Sequence, residues 1–343
     1  MPTSRKSQPS IQDVAKLAGV SLGTASNVLN YPDRVREVTV KKVHKAIEQL
    51  GFVRNDAARQ LKAGKSKALG LIVLDAANPF FSDLASGAED AAVREGYVML
   101  VGNSAHEIDR EANYLKMFQE QRLSGVLLSP VNDPREIITQ MHNKGTQVVL
   151  VDSKSDAAIC CSASLDDFAG GKLAAKHLIQ SGRKKIAFVG GPLDIHQIAD
   201  RLAGAKEAVK ESRGAATLKT YKAKSQDVIS GREVGLAIVK EPKANRPDAI
   251  FAANDLLALG LLQAFALQNQ IAVPGEIAII GYDDIDFAKA AVVPLSSIKQ
   301  PAKILGSTAL EMLVDEIENP ETHQHRQVMF QPELVIREST ATK

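Results

Sequence analysis

The segment from residue 10 to residue 30 most constrains the fold of this chain, because it has the spacing of a helix-turn-helix. Its first apolar residues recur at helical intervals and share one face: Ile11, Val14, Ala15 and Ala18. Ser10 can cap this helix with Asp13 three residues on, and Gly19 can end it in the left-handed conformation. Ser21 can cap a second helix, whose inward residues are Ala25, Val28 and Leu29. Such a pair exposes one face of the second helix, sized for a DNA major groove.

A third helical pattern follows the pair. We expect Thr39 to cap it and Gly51 to end it, with a buried stripe of Val40, Val43, Ile47 and Leu50. Three short helices predict a small bundle whose core is too small to be very stable alone.

The charge of the chain is unevenly distributed. Residues 1–67 contain thirteen Lys and Arg against five Asp and Glu, a net charge of +8, whereas the whole chain carries +2. The remainder is therefore mildly acidic, at −6. A basic head on an acidic body is the electrostatic pattern of a protein that reads DNA.

The run from Ile11 to Ser21, IQDVAKLAGVS, resembles the opening of the LacI/GalR family of bacterial transcription regulators. The resemblance continues through Thr24, Ser26, Val28, Asn30 and the NDAARQLK segment, and it recurs along nearly all 343 residues. It implies a helix-turn-helix headpiece over residues 1–54 and a hinge helix with linker over residues 55–67. Residues 68–343 would then form an effector-binding and dimerisation core of two α/β lobes.

By this resemblance, the DNA-binding residues are Leu22, Gly23, Thr24, Asn27, Asn55, Arg59, Leu61 and Lys62. Leu22 could contact a thymine methyl group and Asn27 could pair with adenine, although both could also be ordinary surface residues. The short helix expected from residue 55 to residue 62 needs a partner to be stable. In the family, the partners of this helix are the DNA minor groove and the same helix of a second subunit. Leu61 matches the position of the wedge that enters the groove and kinks the duplex. The alternative is a plain linker.

From residue 68 onward, apolar strand runs alternate with helical segments in two successive series. The predicted strands are 69–74, 98–101, 125–128 and 148–151, then 185–189, 218–222, 249–252, 277–280 and 297–299. The pattern predicts an α/β fold class with two parallel-sheet lobes. The resemblance implies periplasmic-binding-protein-like lobes joined by three crossovers, which we place near Leu165, Leu295 and Arg326.

Ligands of open α/β sheets bind beyond the carboxyl ends of the strands, where this chain carries polar planar side chains and two phenylalanines. The residues that match the family's effector positions are Asn78, Phe80, Phe81, Asp152, Arg201, Asn254, Asp283 and Gln300. Carboxylates, amides and one guanidinium can bond sugar hydroxyls, and aromatic faces can cover the C–H side of a ring. The family commonly has an aromatic residue near Gln226, and this chain has none there. The effector could therefore be a pentose, a hexose or a nucleoside.

Each of these positions also has a structural interpretation. Asn78, Asn254 and Asp283 could be helix caps, and Phe80 could belong to the core. Asp152 and Arg201 could form a structural ion pair, and we interpret Asp255 as a cap or interface residue. A phosphate-bearing ligand finds little cationic support beyond Arg201.

Other functional classes find little support. The chain has no GxSxG, HExxH, phosphate-loop or strand-linked GxGxxG pattern, so we expect no enzyme and no cofactor. The seven histidines are scattered apart from His323 and His325, which we place on a surface loop, so no metal is expected. Cys160 and Cys161 are expected to be reduced and buried. No apolar run near 18 residues and no signal-like start occur, which favours a cytoplasmic protein with no membrane partner.

The sequence therefore predicts a homodimeric, DNA-binding transcription regulator that acts as a repressor. Its partners would be a palindromic double-stranded DNA operator and a small polar effector, a carbohydrate or nucleoside. The alternative is a transport-type sugar-binding protein, which would leave residues 1–67 unexplained.

Overall fold

The computed structural model describes residues 9–52, 66–156, 158–268 and 271–341. It divides into two units, residues 1–65 and 66–343. Among the described residues, no helix combines the length and the apolar character needed to cross a lipid bilayer.

The headpiece contains α1 (Ile11–Ala18), α2 (Leu22–Asn30), a 3-10 turn (Pro32–Arg34) and α3 (Glu37–Leu50). The predicted caps of the first two helices are confirmed. Ser10 and Asp13 form a reciprocal capping box, and Gly19 ends α1 at φ 65°. Ser21 Oγ accepts a hydrogen bond from the Thr24 backbone N–H at 3.0 Å. The small core is built on Val14, Val28, Val43 and Ala46.

The predicted cap of α3 is wrong. The helix begins at Glu37, two residues before Thr39, and the residue that precedes it, Arg36, makes no side-chain capping bond. Glu37 extends the helix because a carboxylate in the first turn interacts favourably with the helix dipole. Gly51 ends the helix at φ 61°, as predicted.

The first lobe is a parallel sheet with helices on its faces. Its consecutive elements are β1 (Ala68–Val73), α4 (Pro79–Arg94), β2 (Val98–Asn103), α5 (Ile108–Glu120), β3 (Gly125–Leu128), α6 (Arg135–Asn143), β4 (Gln147–Val151) and β5 (Ser162–Leu165). The strands lie in the order β5-β4-β3-β1-β2. Cys160 and Cys161 are free and buried just before β5, as predicted.

The second lobe repeats this architecture. Its elements are α7 (Asp167–Gln180), β6 (Lys185–Gly190), α8 (His196–Glu211), β7 (Thr217–Lys222), α9 (Val228–Lys240), a 3-10 turn (Lys243–Asn245), β8 (Ala249–Ala252), α10 (Asp255–Gln268), β9 (Ala278–Asp283), α11 (Asp286–Lys289) and β10 (Ser296–Lys299). These strands are parallel and lie in the order β10-β9-β8-β6-β7.

The chain then returns to each lobe once more. Helix α12 (Ala302–Glu318) packs on α4, and β11 (Gln327–Phe330) joins the first sheet beside β5. Strand β12 (Glu333–Val335) joins the second sheet antiparallel to β10. The three crossings therefore lie at residues 166, 300–301 and 331–332. The prediction near Leu165 holds, whereas those near Leu295 and Arg326 are about five residues early. The chain forms β10 before it leaves the second lobe, and it forms β11 before it leaves the first lobe.

Close helix packing positions a buried arginine in the second lobe. A Cβ at Gly171 of α7 would lie 2.0 Å from the backbone oxygen of Arg201 in α8, and one at Gly204 would lie 2.0 Å from the Phe168 oxygen. The two glycines thus let the helix backbones touch. This contact sets the depth of Arg201 beside Asp167 at the start of α7.

We expect Gly171→Ala to lower the free energy of unfolding of the core by about 1–3 kcal/mol, because a methyl group there must push two helices apart. Urea unfolding of the full chain measures this loss. Gly275→Ala is the matched control, since its Cβ would meet only an ordinary contact at 3.5 Å. Equal stability of the two variants would contradict the close-packing argument.

Candidate functional site

The exposed start of α2 presents the predicted base-reading residues. Leu22 is 46% exposed, and Gly23 and Asn27 are also exposed, whereas Ala25 and Val28 of the same helix are buried. Thr24 is only partly exposed, and its hydroxyl lies 2.8 Å from Ser21 Oγ, so it belongs to the helix cap as well. The helix therefore offers one apolar side chain, one bare backbone position and one amide on a single surface.

The other half of the predicted DNA-binding set falls in the hinge. Asn55, Arg59, Leu61 and Lys62 lie outside the described residues.

A small cavity lies where the two lobes of the core face each other. All eight predicted effector residues line it: Asn78, Phe80, Phe81, Asp152, Arg201, Asn254, Asp283 and Gln300. Its free volume is about 50 Å³, room for only a few water-sized groups, because one water needs roughly 10–15 Å³. The cavity is therefore narrow, is lined by polar and apolar groups in about equal measure, and is built from strand ends and helices of both lobes.

The first lobe contributes an amide and an aromatic pair. Asn78 caps α4 by accepting from the Phe80 backbone N–H at 3.0 Å, and its Nδ2 donates to Asp283 Oδ2 at 3.1 Å. It thus combines the capping role with a position on the cavity wall. The rings of Phe80 and Phe81 meet edge to face, with centroids 5.0 Å apart and planes at 70°. This pair offers a ligand one apolar corner.

The carboxyl ends of β4 and β9 place two carboxylates in strained conformations. Asp152 has φ 56° and Asp283 has φ 105°, both in the region that favours glycine. Such strain costs about 1–3 kcal/mol and persists where the surroundings impose it, often at binding sites. Asp283 accepts from Gln300 Nε2 at 2.7 Å, and Asp152 accepts from Gln197 Nε2 at 3.0 Å.

Arg201 is the buried cation of the cavity wall. Its ion-pair partner is Asp167, and not Asp152 as the structural interpretation of the sequence proposed. Its Nε donates to Asp167 Oδ1 at 2.8 Å, and its Nη1 donates to the Ala253 oxygen at 2.7 Å. Its guanidinium lies 3.7 Å from the centroid of the Tyr282 ring. Burial alone would lower the pKa of Arg201, but Asp167, Tyr282 and Asp283 together outweigh it and raise that pKa, so the guanidinium stays charged.

Asn254 and Asp255 divide the roles at the start of α10. Asn254 Oδ1 caps the helix at the Leu257 N–H, while its Nδ2 donates to the Gln226 backbone oxygen at 2.9 Å. Asp255 points away from the cavity and accepts from Ser297 Oγ at 2.7 Å and from the Ile285 N–H at 2.9 Å.

Several acceptor atoms of the wall are unsatisfied. Among the described residues that line the cavity, four buried oxygens lack a hydrogen-bond partner: Asp152 Oδ1 and the Oε1 atoms of Gln197, Gln226 and Gln300. The amide nitrogen of each glutamine already donates to a defined oxygen, which fixes each Oε1 as an acceptor. A buried acceptor left unpaired costs about 1–3 kcal/mol, so this wall calls for hydrogen-bond donors.

The electrostatics of the wall disfavour an anion. Burial, and next the repulsion from Asp167, raise the pKa of Asp152 well above its ordinary value, and burial also raises the pKa of Asp283. His106 lines the same cavity, and burial lowers its pKa. The same burial and nearby acidic groups oppose a further negative charge at the wall, and Arg201 is already paired with Asp167.

Sequence reasoning missed two polar residues of this wall. Gln197 sits in the first turn of α8, and His106 follows β2 at φ 60°. Both residues follow a strand, which is the sequence signal that could indicate a place in the cavity wall. Which side chains of such a turn face the cavity depends on how the lobes pack. The sequence marks Gln226 only as a position near which the family commonly has an aromatic residue.

Comparison with known proteins matches both units. The family profile described as bacterial regulatory proteins, lacI family, matches residues 10–55, and that of a periplasmic binding protein-like domain matches residues 175–340. The HTH-type transcriptional repressor PurR of Vibrio atlanticus is 32% identical over 339 residues, which cover 97% of this chain and 98% of the relative.

Two solved structures resemble the chain closely. A LacI family transcriptional regulator from Enterococcus faecium with bound ribose is 26% identical, has a TM-score of 0.72, and matches 80% of this chain and 98% of its own. The transcriptional regulator CelR in complex with cellobiose is 26% identical, has a TM-score of 0.70, and matches 96% of this chain and 99% of its own.

Proposed function

We propose a hydroxyl-rich monosaccharide as the effector of this chain, which belongs to the lacI family of bacterial regulatory proteins. Membership of that family makes it a DNA-binding transcription regulator and not an enzyme. The transport-type alternative is thereby set aside, because the family match includes the headpiece at residues 10–55.

The observation that carries the proposal is the set of four unpaired acceptor oxygens on the cavity wall. Sugar hydroxyls donate hydrogen bonds to such oxygens and can accept from Arg201 and the amides. A phosphate or carboxylate group brings acceptors alone, and it would face Asp152 and Asp283.

The aromatic corner of the cavity bears on the shape of the ligand. The edge-to-face phenylalanine pair presents no parallel slot for a flat base. The ribose complex of the Enterococcus faecium regulator supports a pentose as the first ligand to test.

For DNA, we infer a repressor that binds a palindromic operator as a dimer. In this proposal Leu22, Gly23 and Asn27 read the major groove, and the hinge of residues 55–67 enters the minor groove with Leu61 as its wedge. The core of residues 68–343 holds the effector site and the dimer contacts. The effector favours one arrangement of the lobes, and that preference changes operator affinity.

A ligand panel tests the effector class directly. Purified full-length chain is screened by thermal shift and calorimetry against pentoses, hexoses, cellobiose, ribonucleosides and ribose 5-phosphate. A monosaccharide at 100 times its dissociation constant should stabilise the core by about 2.7 kcal/mol. Gln300→Ala should weaken the binding of this sugar, whereas Lys176→Ala, a substitution of an exposed residue, should leave it unchanged. Binding of the phosphate or the nucleosides in preference to every free sugar would overturn the proposal.

The pH dependence of sugar binding follows from Asp152. Hydroxyl donors bind the ionised carboxylate better, so affinity should fall as the pH drops through its raised pKa, by up to tenfold per pH unit. Calorimetry over a descending series of pH values should show this loss above the pH at which an exposed aspartate protonates. In Asp152→Asn the affinity should be weaker and should change less with pH, although Asp283, whose pKa burial also raises, remains in the same wall. A flat profile in the unaltered chain would contradict the role of Asp152.

A further inference from the structure

A cluster of metal-ligating side chains lies in the first lobe, away from the inter-lobe cavity. Glu316 belongs to the last turn of α12, and His323 and His325 lie on the connection that leads to β11. One donor atom from each of the three lies within 4.8 Å of the other two. The sequence placed these histidines on a surface loop, but the His323 side chain is only 3% exposed and that of His325 is 26% exposed.

The separations of the donor atoms lie close to those of a tetrahedral metal site, although the two histidines face different oxygens of Glu316. His325 Nε2 lies 3.3 Å from Glu316 Oε1, and His323 Nε2 lies 4.0 Å from Glu316 Oε2. Zinc binds imidazole nitrogen and carboxylate oxygen at about 2.0–2.2 Å, so tetrahedral ligand atoms are about 3.3–3.5 Å apart. A small rotation of the Glu316 carboxylate would bring the longer separation into this range.

An unsatisfied buried atom points into the same place. Glu316 is 6% exposed, and its Oε2 has no hydrogen-bond partner among the described residues. A buried carboxylate oxygen without a partner is costly, and buried charges are normally paired or bound to a metal. His142 Nε2, at the end of α6, is likewise buried and unpartnered in the described part of the chain, and its ring lies 6.4 Å from that of His325.

The outer partners are those that a bound histidine needs. His323 Nδ1 lies 2.7 Å from Asp315 Oδ2, so the carboxylate can accept the Nδ1 proton and leave Nε2 as a free acceptor. This Nε2 lies 3.3 Å from Cys161 Sγ and 4.0 Å from Glu316 Oε2, so an ion would take the place of the contact with the Cys161 thiol. This carboxylate–histidine arrangement orients the ring and strengthens it as a metal ligand. A surface cleft lined by Asp315, Thr322 and His325 supplies an entry path.

We propose that Glu316, His323 and His325 bind one Zn²⁺ ion, with a water molecule as the fourth ligand. Three nitrogen and oxygen ligands with one open position are a common zinc arrangement. The ion would fasten the connection between α12 and β11 to the end of the helix. This site is independent of the effector cavity, so the two proposals stand or fall separately.

The test is a zinc titration of the full-length chain without an affinity tag, stripped of metal with a chelator. Competition with a chromophoric chelator should give one equivalent of Zn²⁺ per chain at micromolar affinity or tighter, and Zn²⁺ should raise the melting temperature. Because His323 is nearly fully buried, His325→Ala is the main variant, and we expect it to weaken binding at least 100-fold. Asp315→Asn should weaken binding 10–100-fold while it keeps all three ligands.

His44→Ala is the matched control, since His44 is an exposed histidine of α3 far along the chain from the cluster. Its zinc affinity should equal that of the unaltered chain. A Co²⁺ derivative should show the visible absorption of tetrahedral cobalt, and this signal should vanish in His325→Ala. No saturable binding below millimolar Zn²⁺, or equal losses in His44→Ala and His325→Ala, would show that the cluster is a hydrogen-bonded network alone.

Discussion

Arg201→Ala is expected to lower the free energy of unfolding of the core by about 3–5 kcal/mol and to reduce effector affinity at least tenfold. The stability loss follows because the variant leaves Asp167 as a buried charge without its partner at 2.8 Å. The affinity loss follows because a charged hydrogen bond contributes about 1.5–3 kcal/mol. Urea unfolding and calorimetry measure the two effects separately.

Arg201→Lys separates the structural role from the binding role. A lysine keeps the positive charge beside Asp167 but lacks the planar fork that bonds two groups at once. We therefore expect it to recover most of the stability while effector binding stays weak. If the lysine variant binds the effector as well as the unaltered chain does, Arg201 serves the ion pair alone.

Operator affinity should fall by about 10³–10⁵ between 50 and 200 mM salt, provided that the dimer makes six to ten phosphate contacts. The reason is the net charge of +8 on residues 1–67, which displaces counterions from the DNA backbone. Gel-shift or fluorescence titrations at several salt concentrations measure the slope of affinity against salt on logarithmic axes.

A scrambled duplex of equal length is the control for this prediction. It should bind far more weakly at every salt concentration, because in the proposed function the exposed Leu22 and Asn27 contact bases and not phosphates. Affinity that does not change with salt, or that is equal on the two duplexes, would refute the assignment of the headpiece as a sequence-specific reader.

The strands of the core were predictable where they are buried on both faces, as 125–128 and 249–252 show. Parallel strands covered by helices have near-continuous apolar runs. Strand β5 was missed because Ser162 and Ser164 break its apolar pattern, although both are buried. Strands β11 and β12 are short and partly exposed, so their hydrophobic signal is weak.

The cavity wall was predictable where a polar residue directly follows a strand, as at Asp152 and Asp283. Partnerships across helices were not, because they depend on packing distances that no local pattern encodes. Asp167 holds Arg201 only because glycines let α7 and α8 touch. For the same reason, the sequence does not predict the cluster of Glu316, His323 and His325. In the sequence its members resemble unrelated surface residues.

Residues at two of the three lobe crossings form hydrogen bonds with side chains of the cavity wall. Gln300 stands at the crossing between β10 and α12 and donates to Asp283, and Asp167 follows the first crossing and holds Arg201. We expect a substitution there to change the ligand contacts and the relative orientation of the lobes together. We therefore expect that laboratory evolution toward a new sugar will shift the uninduced level of transcription as a side effect, and that selection for tight silencing will narrow the range of sugars accepted.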